Sequence, residues 1–232
     1  MGGKHSPVVF GNVRASESSL TMEVEDNVNF SVDYSSISKT NEITVKIILL
    51  GDSAVGKSKL IERFLMDDYK PHQLSTYALT LFRYKTQVQE KSVSVDFWDT
   101  AGQERFESLH PSYYHQANCA VLIFDSVRKV TYKNLKKWYD EMRQYRPEIP
   151  CLCAANKIDE NFDATQKNFA FPTKNRLPFY YVSASDGTNV VKFLRFNCEL
   201  QLFNDAINAA IAYRLNPTDL SDQIMDELET LN

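Results

Sequence analysis

The chain predicts a doubly wound α/β fold, a mostly parallel sheet with one antiparallel edge, and three observations carry that expectation. Apolar runs rich in β-branched residues recur without the alternation of a half-exposed strand, as strands covered on both faces do. Segments of helical period and short loops separate them. A glycine-rich string, Gly51-Asp-Ser-Ala-Val-Gly56-Lys57-Ser58, falls where one such strand passes into a helix.

Ile43–Leu50 is the first strand, broken only by Lys46, and Gly51–Ser58 is the loop after it. Lys57–Met66 continues as a helix with Leu60, Ile61, Phe64 and Leu65 on one side. Tyr77–Val88 and Ser92–Trp98 are strands whose short connection implies antiparallel pairing. Cys119–Phe124 is another buried strand, and Tyr132–Tyr145 a helix carrying Leu135, Trp138, Tyr139 and Met142. Ile149–Ala155 and Phe179–Val182 complete the strands, and a helix from Asn189 to Arg214 ends the domain. The organisation is therefore a domain over residues 43–215 between two tails. Residues 1–42 form a polar, Ser-rich, flexible arm. Residues 216–232 are acidic; Ile224, Met225 and Leu228 suit either a short amphipathic helix or a solvated tail.

A chain of 232 residues is long enough to bury a sizeable core. Its net charge of −4 excludes a nucleic-acid binder, which needs a basic face. No apolar run approaches the ~20 residues of a membrane span, and no secretory apolar region opens the chain. Cys119, Cys151 and Cys153 lie in strand-like runs, and no ligand spacing completes a zinc site around the four cysteines. They read as core residues of a protein kept reduced in the cytoplasm.

The glycine-rich string matches the phosphate-binding loop G-x-x-x-x-G-K-[ST]. Its backbone curls so that the amides from Gly51, Asp52, Ser53, Ala54, Val55 and Gly56 through Lys59 converge on phosphate oxygens at a helix N-terminus. Lys57 adds a cation for the β and γ phosphates, and the Ser58 hydroxyl is a hard ligand for Mg2+. Asn156-Lys157-Ile158-Asp159 follows a predicted strand. The Asp159 carboxylate there accepts from both the ring N–H and the amino group of guanine, whereas adenine offers an acceptor at the ring nitrogen. GTP and GDP are the expected ligands.

With Trp98-Asp99-Thr100-Ala101-Gly102-Gln103-Glu104 the chain resembles the Ras superfamily of small GTPases, and its Rab branch most. The resemblance covers about Ile43 to Arg214 and implies a six-stranded sheet, five helices and a GTP/GDP switch. It also implies roles. Tyr69 would stack on the guanine, Thr76 would bind Mg2+ and sense the γ-phosphate, and Asp99 would hold a water of the metal shell. The Gly102 N–H would meet the γ-phosphate, and Gln103 would orient the attacking water as the catalytic residue. Ser183 and Ala184 would offer backbone groups to the base. Hydrolysis would break the Thr76 and Gly102 contacts together and relax both flanking segments.

Longer strings (KLIERFLMDDY, QLSTYALTL, PSYYHQANC, YRPEIPC, SASDGTNVVK) are similar to the Rab-like protein 2 subfamily. That similarity implies a GTP-bound form that engages the intraflagellar transport B complex, recruited to the ciliary base and centrosome by a centrosomal protein, and a monomer. The competing readings are a nucleotide-loaded scaffold with incidental hydrolysis and a vesicle-trafficking Rab.

Five departures matter. Thr76-Tyr77-Ala78 replaces the T-I-G usual in Rab switches, Lys59 stands where a small residue is common, and Ser185 replaces the lysine of an S-A-K loop. The last of these predicts weaker nucleotide retention than in an ordinary Rab. The end of the sequence lacks a prenyl-acceptor cysteine, while Met1-Gly2-Gly3-Lys4-His5-Ser6 fits an N-myristoylation pattern; a stable membrane anchor is not expected. Finally, Phe193–Gln201 reads as a nine-residue insertion, which turns a helix by about half a turn. Either it loops out, or the last helix packs differently, or it marks an unusual transcript, and the latter two are favoured.

Overall fold

A computed structural model describes residues 42–66, 76, 79–102, 109–190 and 201–216. The expected arm (1–42) and tail (216–232) lie outside them, except for Glu42 and Asn216. Among the described residues six strands form one sheet: β1 Ile43–Leu50, β2 Leu79–Val88, β3 Lys91–Thr100, β4 Cys119–Asp125, β5 Cys151–Asn156 and β6 Phe179–Tyr181. Their order across the sheet is β2-β3-β1-β4-β5-β6. Only β2 and β3 pair antiparallel; every other neighbour is parallel. Among the described residues five α-helices accompany them: α1 Lys57–Met66, α2 His110–Tyr114, α3 Lys129–Tyr145, α4 Ala170–Lys174 and α5 Leu202–Leu215.

The two-residue period of the strands divides the core into two. Val45, Ile47 and Leu49 of β1, with Val121 and Ile123 of β4, face α1 and α5. Ile48, Leu50, Leu122 and Phe124 face the other layer, which holds Leu135, Trp138 and Met142 of α3. Two-sided burial explains why these strands carry no polar alternation. Each fully buried Leu, Ile or Phe contributes about 1.5–3 kcal/mol relative to exposure. Phe64, Phe97 and Phe203 interlock between α1, β3 and α5, with the Phe97 and Phe203 rings edge to face at 5.3 Å.

The three described cysteines are free and buried in this core. Burial pushes all three thiols up, Cys151 to about 12. Inert core packing is thus their observed role. Cys198 lies outside the described residues. Among the described residues no cluster of His, Cys, Asp or Glu forms a metal site, and no described helix is long and apolar enough to cross a membrane.

The structure moves several expected boundaries. β3 runs on through Asp99 and Thr100 because it lies between β2 and β1 and pairs on both edges, Leu79 with Thr100 and Leu49 with Asp99. β5 begins at Cys151, after a proline that has no N–H to give the ladder. α3 starts three residues early, at Lys129, because the Asp125 carboxylate accepts from the Val127 and Arg128 amides and shapes the turn into it. α2 and α4, five residues each, are too short to show a helical period.

The largest correction concerns α5, which begins at Leu202 rather than Asn189. Asn189 has a left-handed backbone (φ 55°), and Gln201 is extended, so neither belongs to the helix. Leu202, Phe203, Ala206, Ile207 and Ala210 still meet the sheet in an i, i+4 stripe. The Leu202 N–H donates to the Asn189 carbonyl at 3.3 Å. The expected insertion Phe193–Gln201 lies outside the described residues except for Gln201.

Candidate nucleotide-binding site

The glycine-rich loop leaves the C-terminal end of β1, between β3 and β4, where the two halves of the sheet diverge. Ligands of open α/β sheets bind in such a crevice. Gly51 has φ 142°, and a Cβ there would lie 2.1 Å from the Ile123 carbonyl oxygen, a backbone atom that cannot swing aside. Gly56 has φ 97°, and a Cβ would lie 2.3 Å from Asn156 Nδ2. Only glycine lets the loop curl this tightly against β4 and β5. Ala54, with φ 59°, completes the curl, and the Leu60 N–H closes the first turn of α1 on the Gly56 carbonyl at 3.0 Å. The amides from Gly51 to Lys59 thus belong to one loop and helix N-terminus, as expected.

Lys57 is buried inside this curl, and its ammonium donates to the Gly51 carbonyl (2.7 Å) and the Asp52 carbonyl (3.0 Å). Burial lowers its pKa from 10.5 to about 8, although the Asp99 and Asp52 charges pull the other way. A polyphosphate supplies the counter-charge that the interior lacks, so binding above pH 8 draws a proton onto Lys57. The dissociation constant for GDP is accordingly expected to be about tenfold weaker at pH 9 than at pH 7. Titration calorimetry over that range checks it; a flat profile would remove Lys57 as the phosphate cation.

Three oxygens converge beside the lysine. Asp99 Oδ2 accepts from Ser58 Oγ (2.5 Å) and Thr76 Oγ1 (3.0 Å), and the two hydroxyl oxygens are 2.9 Å apart. Adjacent ligands of an octahedral ion with bonds of about 2.05 Å stand about 2.9 Å apart, so this spacing fits Mg2+. The second oxygen, Asp99 Oδ1, is buried and without a partner among the described residues. Burial pushes this carboxyl above the usual range, against the pull of Ser58, Lys57 and Thr76. A hard divalent cation would relieve that desolvated carboxylate. Gly102 packs against the same loop, where a Cβ would lie 2.3 Å from the Asp52 carbonyl carbon.

The base-checking string is tied to the loop by Asn156. Its Nδ2 donates to the Val55 carbonyl (2.8 Å), and its Oδ1 accepts from the Ala184 N–H (3.2 Å). Asn156 is therefore a staple between the phosphate loop and the Ser183-Ala184 turn. Asp159, exposed, accepts from the Ser183 hydroxyl at 2.7 Å, which aligns it with that turn. Lys157, at φ 65°, pairs with Asp125 at 2.8 Å.

Two other expected residues turn their side chains elsewhere. Lys59 pairs with Glu62 along α1 at 2.8 Å, leaving only its backbone for phosphate. The Asp52 carboxylate accepts from Asn134 Nδ2 (2.7 Å) and Trp138 Nε1 (2.9 Å) on α3. Tyr69 and Gln103 lie outside the described residues.

The structure also adds residues that motif reading missed. Asp125 is buried; burial alone would raise its pKa, but Lys157 and Arg128 hold it below the usual carboxylate range. Arg128 also donates to the Ser53 carbonyl at 2.9 Å. A charge closing an otherwise apolar strand was the available signal for Asp125. Arg63 on α1 donates to the Ala184 carbonyl (2.9 Å) and to the Ser185 carbonyl, bracing the turn in which Ser185 replaces a lysine. Contacts 121 and 122 residues apart leave no local signal.

Comparison with known proteins agrees with this geometry. Residues 46–159 match the family model described as "Ras of Complex, Roc, domain of DAPkinase". The chain is 60% identical over 188 residues to Rab-like protein 2A of Pongo abelii, covering 81% of this chain and 78% of that protein. It is 58% identical to Rab-like protein 2B of Homo sapiens over the same shares. GTP-binding protein ypt5 of Schizosaccharomyces pombe is 35% identical over 182 residues, 73% of this chain and 84% of its own.

Proposed function

This chain belongs to the Rab-like small GTPases, and from that membership we propose a GTP-controlled switch whose GTP-bound form engages the intraflagellar transport B complex in ciliary assembly. The coarser activity belongs to the family: the protein binds guanine nucleotide with Mg2+ and hydrolyses GTP. One observation carries the nucleotide reading. Asn156 bonds the phosphate loop and the base turn at once, so triphosphate and purine are gripped by a single rigid unit.

Each residue then has a defined task. The loop amides and Lys57 hold the β and γ phosphates, and Asp159 discriminates guanine from adenine. Ser58, Thr76 and Asp99 would hold the metal. When bound, Mg2+ neutralises charge on the phosphates. Gln103 orients the attacking water. Thr76 reaches Ser58 and Asp99 across 18 and 23 residues, so its hydroxyl is tethered at the phosphate end of the site. Losing the γ-phosphate would loosen that tether.

The ciliary reading rests on the long strings shared with the Rab-like protein 2 subfamily and on Thr76-Tyr77-Ala78, which departs from the usual Rab switch. It locates the protein in the cytoplasm, ciliary base, centrosome and cilium. Pull-down from ciliated cells tests it, comparing protein loaded with GDP and with a non-hydrolysable GTP analogue. Capture of the transport complex by the second form alone is expected; equal capture by both rejects switching. Single-turnover phosphate release should fall by at least about tenfold in Gln103→Leu. Equal rates in parent and variant would turn the reading toward a scaffold with incidental hydrolysis.

A further inference from the structure

The Asp52 carboxylate lies in the phosphate loop, yet it is bonded to α3 rather than to anything in the loop. Trp138 Nε1 holds one oxygen at 2.9 Å and Asn134 Nδ2 the other at 2.7 Å. Trp138 is itself packed against His110 at the start of α2, with ring centroids 5.4 Å apart and planes tilted by 35°. His110 is 2% exposed, and its Nδ1 lies 2.6 Å from Glu141 Oε1, one helical turn beyond Trp138 on α3. Its other nitrogen, Nε2, is buried without a partner among the described residues. An apolar ring would fill that space without orphaning a polar atom. A histidine is retained there, bonded to a carboxylate and laid on the indole that grips the phosphate loop.

We propose that Trp138, clasped by the His110–Glu141 pair, is a positioning residue that sets nucleotide retention by holding the Asp52 carboxylate on α3. Two donors orient the carboxylate toward α3 and spread its charge. Released, it is free to turn back to the loop, where it would repel the phosphates. α2 directly follows the segment carrying Gln103, so a displacement of α2 acts on His110, then on the Trp138 ring, then on Asp52. The inference rests on the nucleotide reading above.

The test is the release rate of a fluorescent GDP from the full chain. Trp138→Phe keeps an aromatic, though smaller, ring in the core and loses the N–H, and release about tenfold faster than the parent's is expected. Asn134→Ala removes the other donor from an exposed position and is expected to act in the same direction, so it carries the test where the core variant fails to fold. Glu141→Gln is expected to speed release less than Trp138→Phe, and combining the two should add little, because both act through one carboxylate. The decisive background is Asp52→Asn, in which Trp138→Phe should no longer matter. Release within twofold of the parent for both donor variants would overturn the proposal, and so would acceleration that persists in Asp52→Asn. A parent that retains no GDP would overturn the nucleotide reading as well; a parent that holds GDP beside unaffected variants overturns the α3 clasp alone.

Discussion

Replacing Asn156 by alanine is expected to weaken GDP binding by about a hundredfold and to lower the melting temperature by about 5–10 °C. The side chain makes one buried bond to each half of the site, to the Val55 carbonyl at 2.8 Å and from the Ala184 N–H at 3.2 Å. Val55 is fully buried and Ala184 is 5% exposed, so water cannot easily reach the groups that alanine would orphan. Each orphan costs about 1–3 kcal/mol, and a methyl replaces neither bond. Part of that cost falls on the fold and part on the site, because the phosphate loop and the base turn would lose their shared reference point. Gly56, whose missing Cβ leaves room for Asn156 Nδ2, would lose its neighbour as well. Calorimetry with GDP and a thermal melt separate the two shares. A loss of less than about threefold in affinity would mean that the turns are held without the staple.

Removing Phe193–Gln201 is expected to stabilise the protein. The Leu202 N–H already meets the Asn189 carbonyl at 3.3 Å. With those nine residues gone, Leu202 becomes the fourth residue after Asn189, and that contact becomes an ordinary i to i−4 helical bond. Val190, Leu202, Phe203, Ala206 and Ile207 would then form one continuous stripe in the core they already share. Joining two flanks that already meet through about a dozen extra residues costs about 2 kcal/mol of chain entropy. Its removal should raise the melting temperature by about 4–8 °C while leaving GDP affinity within about twofold. A variant that melts at or below the parent would show that the segment makes contacts worth more than the entropy it costs.

The two predictions differ in how visible their grounds are in the sequence. Asn156 was picked out by its motif only as a nucleotide-binding residue; its bonds to Val55 and Ala184 span 101 and 28 residues and have no periodic trace. The insertion was visible as a break in register, but the meeting of its flanks, Leu202 N–H on the Asn189 carbonyl, was not. Arg63, Arg128 and Trp138 were equally silent, since each acts on a loop far away along the chain.

What the sequence alone determined is whatever short-range chemistry encodes. Unbroken apolar runs gave parallel strands, because a strand covered on both faces has no wet side to alternate. Glycines at 51 and 56 gave the curled loop, because positive φ angles and close backbone approach exclude a Cβ. The order of the two nucleotide motifs gave the ligand. Tertiary structure decided the rest: where β3 and α5 end and begin, which side chains brace the loops, and that Asp52 faces α3. Those outcomes depend on hydrogen bonds and packing between residues scores of positions apart, and spacing along a chain carries no record of them.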